Sequence, residues 1–146
     1  MYERILFPTD GSDGSSDALE HAVDLAKRYD ATLQGLYVSD QRSYAGLAGD
    51  MDREKIREAQ ESLGQEALDT VVSTAEAGGV DVETARSVGV PSERILEAID
   101  ENGSDLVVMG THGRTGVRRA LLGSVAESVV RQSSVPIHLV PVEGGE

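Results

Sequence analysis

The sequence of 146 residues contains no cysteine. This absence excludes disulfides, thiolate catalysis, iron–sulfur clusters and every zinc site built on cysteine. The three histidines, His21, His112 and His138, are far apart in sequence and form no pair with metal-motif spacing such as HExxH. The sequence therefore predicts no structural metal, and it predicts that His21 and His138 lie on ordinary element faces.

Long hydrophobic runs are also missing, and none approaches the length that crosses a bilayer. The first residues lack the basic start and long apolar stretch of a secretory signal, so we expect a cytoplasmic protein. The length fits one hydrophobic core, which predicts a single domain over residues 1–146.

Basic residues are scarce: 13 stand against 26 acidic ones, and the formal net charge is -13. Phosphate affinity of nucleic-acid binders depends on Lys and Arg, so a nucleic-acid partner is not expected. Only Lys27 and Lys55 are lysines. Such an acidic, lysine-poor surface is compatible with a halophilic protein or with an ordinary acidic cytosolic one, and both interpretations stay open.

Apolar runs alternate with stretches of helical periodicity, which predicts five strands and four helices. This pattern favours an α/β fold, a doubly wound five-stranded parallel sheet with helices on both faces. Ligands of such sheets bind beyond the carboxyl ends of the strands where the strand order reverses, which directs attention to the loops after strands one and four. The predicted strands are Glu3–Thr9, Thr32–Val38, Val80–Val88, Asp105–Met109 and Val135–Val142. The predicted helices are Ser15–Tyr29, Asp52–Ala77, one that begins near Pro91 and ends at Gly103, and Ser124–Arg131. The segment Ser39–Asp50 is predicted to be a mobile loop.

The loop after the fourth strand is rich in glycine, with Gly110, Gly113 and Gly123. Glycines let the backbone approach a ligand closely, and consecutive amides can form an anion-binding nest. Ser124 followed by Glu127 matches a capping box at a helix start, where free amides favour negative charge. The alternative is a long turn before an ordinary helix, but the position after strand four favours a phosphate site.

The same segment is locally positive. No acidic residue lies between Asp105 and Glu127, and the segment contains three arginines, Arg114, Arg118 and Arg119. In so acidic a chain, a positive loop is what an anionic ligand requires.

These residues carry a family resemblance. Gly110, Gly113, Gly123 and Ser124 fill the pattern G-x2-G-x9-G-[S/T] without a gap. Together with the strand-one ending Pro8-Thr9-Asp10 and the terminal VPIHLVPV strand, this resembles the nucleotide-binding branch of the universal stress protein A family. The likeness extends over essentially the whole chain.

The resemblance implies an adenine nucleotide, ATP or its products ADP and AMP, lying across the strand ends. Pro8, Thr9 and Asp10 would line the base and ribose, the Val38 backbone would bond the adenine edge, and Met109 would add an apolar contact. Ribose and phosphates would then meet the glycine loop, at Gly110, Gly113, the Ser124 hydroxyl and the amides of Gly123, Ser124 and Val125, with His112 and Arg114 as additional candidates.

Asp10 has two interpretations that the sequence leaves open. Its carboxylate would repel a triphosphate unless it faced the ribose hydroxyls or a Mg²⁺ or Mn²⁺ ion carried by the phosphates. Alternatively, it caps a turn or helix within TDGSDGS, a frequent role for Asp.

Three functions remain to be compared. The resemblance implies an ATP-binding stress-response protein whose nucleotide state alters partner recognition. The second is an enzyme, either a slow ATP hydrolase or an adenylating enzyme of the related ATP pyrophosphatase type. The sequence has no Walker A GK[ST] motif of P-loop ATPases, and no catalytic residue stands out. The segment Thr9–Gly14 lacks the SGGxDS pattern of the ATP pyrophosphatases. A nucleotide-free dimerisation module is the third, against which the glycine pattern speaks. The family also implies a homodimer through the last strand.

Overall fold

The computed structural model describes residues 1–40, 50–111 and 122–141. Within these ranges strands and helices alternate as the sequence predicts. The elements are β1 (Arg4–Thr9), α1 (Asp13–Tyr29), β2 (Thr32–Ser39), α2 (Asp50–Ala77), β3 (Val82–Val88), α3 (Pro91–Asn102), β4 (Leu106–Gly110), α4 (Ser124–Gln132) and β5 (Ile137–Val140).

The five strands form one parallel sheet in the order β3-β2-β1-β4-β5. The chain builds β1, β2 and β3 outward in one direction and then returns to place β4 and β5 on the other side of β1. The strand order therefore reverses between β1 and β4. This topology confirms the predicted doubly wound fold and locates its switch point.

Two hydrophobic clusters cover the two faces of the sheet because successive strand residues point to opposite sides. On β1, Ile5 and Phe7 belong to the cluster beneath α1 and α2. Leu6 belongs to the cluster beneath α3 and α4. We refer to these as the α1/α2 face and the α3/α4 face.

Several element boundaries differ from the sequence prediction by one or two residues. The last strand is shorter than expected, since only Ile137–Val140 pairs with β4. The third strand begins at Val82 rather than Val80, because Val80 is buried in the turn that follows α2. Gly103 ends α3 with a φ of 68°, as its position predicted. Most of the predicted mobile loop, residues 41–49, lies outside the described residues.

Helix α2 packs closely on β2 because a glycine lies at the contact. A Cβ atom added to Gly64 would lie 2.5 Å from Cδ2 of Tyr37 and 2.8 Å from Nη2 of Arg86. Tyr37 is buried, and the Arg86 guanidinium donates hydrogen bonds to the Glu61 carbonyl at 2.7 Å and to Gln65 Oε1 at 3.2 Å. The exposed Arg86 guanidinium can move aside, whereas the ring of the buried Tyr37 has to shift within the core. Among the described residues, no helix has the length and hydropathy of a membrane span.

We predict that Gly64→Ala lowers the free energy of unfolding. Alanine gains about 1 kcal/mol in helix propensity, but overpacking against a rigid neighbour costs about 1–3 kcal/mol. We expect a net loss of up to about 2 kcal/mol in urea denaturation. The matched control is Ser62→Ala on the exposed side of the same helix, which should change stability by less than about 0.5 kcal/mol. A Gly64→Ala protein as stable as the control would contradict the close-packing argument.

Candidate functional site

The carboxyl ends of β1 and β4 lie side by side at the switch point of the sheet. The predicted residues within the described ranges lie on the elements that meet there. Pro8 and Thr9 end β1 and Asp10 follows it; Val38 lies one residue before the end of β2; Met109 and Gly110 end β4. Gly123 is the residue before α4, and Ser124 and Val125 are its first two residues. His112, Gly113 and Arg114 lie outside the described residues.

Pro8 determines where the pairing of β1 with β4 stops. The carbonyl of Arg4 accepts a hydrogen bond from the Asp105 amide, so residues 4, 6 and 8 of β1 face β4. Both strands are fully described, and their ladder consists of two pairs, Ile5 with Leu106 and Leu6 with Val107. The next pair would require residue 8 to donate its amide to β4, and proline has no N–H group.

The other side of β1 behaves differently. Its pairing with β2 continues to Thr9 opposite Tyr37, because residues 5, 7 and 9 supply the bonds on that side. β1 thus stays bound to β2 to its end while it is released from β4 after Leu6. The β1–β4 ladder therefore ends before the carboxyl ends of the two strands, at the place where ligands of this fold class bind. We call this unpaired region the opening.

Val38 lies next to this opening on the α3/α4 face. The Thr32 amide donates to the Glu3 carbonyl, so the backbone groups of even-numbered β2 residues point toward β1. The last β1–β2 pair is Thr9 with Tyr37, and Val38 therefore has no pairing partner on β1. Its carbonyl lies beyond the end of the ladder, where it is suited to accept a hydrogen bond from a ligand.

The turn from β1 into α1 is held by side chains. Gly11 has a φ of 80° and donates its amide to Thr9 Oγ1 at 3.2 Å. Oδ1 of Asp10 accepts two hydrogen bonds, from the Ser12 amide at 2.9 Å and the Ser15 hydroxyl at 3.2 Å. One oxygen of Asp10 therefore has the turn-capping role that the sequence left open, and neither of these two bonds uses Oδ2.

Sequence reasoning did not single out Ser12 and Ser15 as the partners of Asp10. The D-x-S spacing of an Asx turn was the available signal for Ser12. For Ser15 the signal was weak, because five residues separate it from Asp10 and only the helical start brings its hydroxyl back.

The start of α4 differs from the predicted capping box. Gly123, not Ser124, is the N-cap, and Ser124 is the first helical residue. The Glu127 amide bonds the Gly123 carbonyl at 2.9 Å, and the Glu127 carboxylate lies 3.7 Å from the Arg131 guanidinium. The capping-box prediction is wrong by one residue, since a glycine is also tolerated at the N-cap.

This register decides which amides of α4 remain available. The Gly123 amide donates to the Thr111 carbonyl at 2.8 Å and thereby holds the start of α4 against the end of β4. The first intrahelical bond belongs to the Glu127 amide. The amides of Ser124, Val125 and Ala126 therefore have no intrahelical acceptor and point out of the helix start, where anions are favoured.

Met109 and Ala126 give the site an apolar wall. Both are buried in the cluster of the α3/α4 face, and Val38 and Val125 pack against that cluster. Val125 lies in the first turn of α4 and Val38 near the end of β2, so this cluster joins the two elements. Apolar surface beside a few oriented polar groups is typical of small-molecule sites.

The opposite face of the sheet carries a small cavity beside the turn from β1 into α1, since Gly11, Ser12 and Ser15 of that turn line it. It has a volume of about 80 Å³ and lies between α1 and α2, with Phe7, Thr9 and Val71 among its lining residues. Drug-sized ligands occupy roughly 300–1,000 Å³, so this cavity is too small for a nucleotide.

Within the described ranges, no cluster of three or more His, Asp or Glu side chains is arranged to hold a metal ion.

Comparisons with known proteins agree with the architecture. The profile of the Universal stress protein family matches residues 1–141. Universal stress protein MJ0531 of Methanocaldococcus jannaschii is 43% identical over 140 residues, which span 96% of this chain and 82% of the relative.

Solved structures show the same fold. The structure of MJ0577, also from M. jannaschii, superposes with a TM-score of 0.82 at 28% identity and covers 99% of both chains. A universal stress protein solved in complex with cAMP superposes with a TM-score of 0.71 at 27% identity over 97% of this chain and 98% of its own.

We predict that Pro8→Ala extends the β1–β4 ladder, because alanine restores the amide donor that the next pair needs. In hydrogen-exchange NMR, the new amide at position 8 should exchange at least tenfold more slowly than an unprotected amide. Exchange at the rate of a loop residue would show that something other than the missing N–H keeps the strands apart.

Proposed function

Because the chain belongs to the universal stress protein family, we propose that it binds an adenine nucleotide, with ATP the first candidate and ADP and AMP the others. The nucleotide lies in the opening between the ends of β1 and β4. The protein acts as a regulator in the stress response, and its nucleotide state alters recognition by a protein partner. A relative of 27% identity solved in complex with cAMP supports the ligand class.

The base fits the apolar side of the site. Pro8 ends the β1–β4 pairing, and Met109 supplies a buried apolar surface on the α3/α4 face. The unpaired Val38 carbonyl can accept a hydrogen bond from the exocyclic amino group of adenine. These groups suit a flat, apolar ring with a polar edge.

The phosphates fit the start of α4, and this is the observation that carries the proposal. The amides of Ser124, Val125 and Ala126 have no intrahelical acceptor, and the helix dipole adds positive potential at the same point. The Ser124 hydroxyl adds a donor. The Gly123 amide has a structural role through Thr111, so the proposed phosphate donors begin at Ser124.

Asp10 is the residue through which a metal ion would meet the protein. Its Oδ1 is engaged by Ser12 and Ser15, which leaves Oδ2 for ribose hydroxyls or for a Mg²⁺ or Mn²⁺ ion. A single carboxylate oxygen fits an ion that the phosphates carry, since Mg²⁺ is usually held by one or two carboxylates plus phosphate oxygens. The ion would neutralise phosphate charge beside Asp10.

The described part of the site favours holding a nucleotide over transferring its phosphate. Its polar groups are main-chain amides, a main-chain carbonyl and a carboxylate engaged in a turn. Slow hydrolysis by bound water is compatible with this arrangement, but we assign no residue a catalytic role. The proposed function is therefore binding and signalling.

We predict that Ser124→Pro weakens Mg-ATP binding about tenfold to hundredfold, the effect of losing one charge-assisted hydrogen bond. Proline is favoured at the first helical position, and Gly123 before it has a ψ of 159°, which proline tolerates. The variant thus removes one amide donor and the hydroxyl and leaves the helix intact. Titration calorimetry measures the affinity.

Ser124→Ala is the matched control, because it removes the hydroxyl and keeps the amide. It should bind Mg-ATP more tightly than Ser124→Pro. Equal affinities of the two variants would refute the assignment of the Ser124 amide to the phosphates. Thermal melting without nucleotide should show that both variants are folded.

The resident nucleotide can be identified directly. Mass spectrometry of the ligand released from gently purified protein should detect ATP, ADP or AMP. The proposed function is wrong if mass spectrometry detects no adenine nucleotide and calorimetry shows no binding of Mg-ATP to the ligand-free protein.

The last strand supports a second proposal, a homodimer through β5. The two edge strands differ: β3 carries Glu83, paired with Arg4 at 2.8 Å, and Arg86, whereas β5 is half-buried and apolar apart from His138. Charged side chains protect an edge from pairing, and apolar ones leave it open to a second copy. The carbonyls of residues 136 and 140 face β4, so the backbone groups of Ile137 and Leu139 face the free edge.

We predict that Leu139→Pro yields a monomer, because it removes an edge amide without removing a bond to β4. Leu139→Ala loses the same packing and keeps the amide, and it should remain a dimer. Light scattering should give twice the chain mass of 15.5 kDa for the wild type and Leu139→Ala. A wild-type monomer at micromolar concentration would contradict the dimer.

A further inference from the structure

Two histidines that are far apart in sequence lie together on the surface. His21 is on α1 and His138 is on β5, and their ring centroids are 5.5 Å apart with an interplanar angle of 41°. Neither residue belongs to the nucleotide site. His21 is exposed and His138 is half-buried, so solvent ions reach the pair.

The fold brings the two rings together through the packing of α1 on the sheet. Val140 belongs to the cluster beneath α1, and residues two apart on a strand share a face, so His138 also faces α1. Ala18 and Ala22 are buried beside His21 on the helix. Their small side chains let α1 approach β4 and β5 closely.

The separation of the rings matches that of two imidazoles on one metal ion. A metal–nitrogen bond of about 2.0–2.1 Å and a ring radius of roughly 1.1 Å place each ring centre about 3.2 Å from the ion. A tetrahedral angle at the ion then separates the two centres by about 5.2 Å. The observed separation of 5.5 Å is close to this value.

We infer that His21 and His138 form a binding site for a divalent transition-metal ion, Zn²⁺, Ni²⁺ or Cu²⁺. Neutral imidazole suits these ions, whereas Mg²⁺ prefers oxygen ligands. Within the described residues no third His, Asp or Glu completes the cluster, so water fills the remaining positions and the ion exchanges readily. The bound ion links α1 to the edge strand β5.

The surroundings favour a cation. Asp17 and Asp24 lie one turn before and after His21 on the same helix; Asp24 is paired with Arg28 at 2.8 Å. The net charge of -13 raises the local concentration of cations. The site is compatible with the proposed dimer, since strand pairing at the β5 edge uses backbone groups in the plane of the sheet and His138 projects out of that plane.

The test is calorimetric titration of NiCl₂ into the full chain without nucleotide. We expect His21→Gln and His138→Gln each to weaken Ni²⁺ binding at least tenfold, and the double variant to be no weaker than the weaker single one, because either substitution already destroys the chelate. MgCl₂ should bind the wild type and the double variant equally. Identical Ni²⁺ affinity of the wild type and the double variant would overturn the inference.

Glu20→Gln is the matched control for diffuse attraction to carboxylates. It removes a charge from the exposed residue next to His21 and keeps both imidazoles. Its Ni²⁺ affinity should stay within about twofold of the wild type, in line with the small effect of one exposed charge. A loss as large as that of His21→Gln would overturn the inference.

A second measurement needs no variant that might misfold. Histidine side-chain NMR of the wild type with ZnCl₂ should show shifts of the ring nitrogens of both His21 and His138 at one equivalent. If only one ring responds, or neither does, the two-histidine site is refuted.

Discussion

The missing amide of Pro8 is the constraint on which the described site depends. Each further pair of a parallel ladder needs a backbone donor, and β1 lacks its donor at the position where β4 would continue the ladder. Pro8 does not interrupt the pairing of β1 with β2, because the backbone groups of Pro8 face β4. One proline therefore opens the centre of the sheet at one end without weakening the rest of β1.

Around this opening, polar contacts come mainly from the backbone. The Gly123–Thr111 hydrogen bond anchors α4 against β4, and the three amides that follow are directed outward. Backbone donors are suited to an anion in a chain of net charge -13, since they supply positive potential without attracting nearby carboxylates into ion pairs. Asp10, the carboxylate at the opening, is restrained by Ser12 and Ser15.

Local patterns predicted most of the fold and which residues lie at the strand ends beside the switch point. Buried strands such as Leu106–Gly110 are nearly pure apolar runs, and Gly103 marked a helix end that needs positive φ. The first residue of α4 was predicted correctly, but its N-cap is Gly123 rather than Ser124. Both residue types satisfy an N-cap, and the bond from Gly123 to Thr111 decides between them. That bond joins residues separated by the glycine loop and leaves no local signal.

The sequence by itself determined the alternation of strands and helices, the doubly wound class and the residues at the strand ends, because side-chain periodicity and glycine or proline positions act over a few neighbours. Only the tertiary structure decided that Pro8 faces β4 rather than β2, that Asp10 caps its turn through Ser15, and that His21 meets His138. The strand order and the packing of α1 over β5 fix these relations. They bring together residues that no short-range pattern connects.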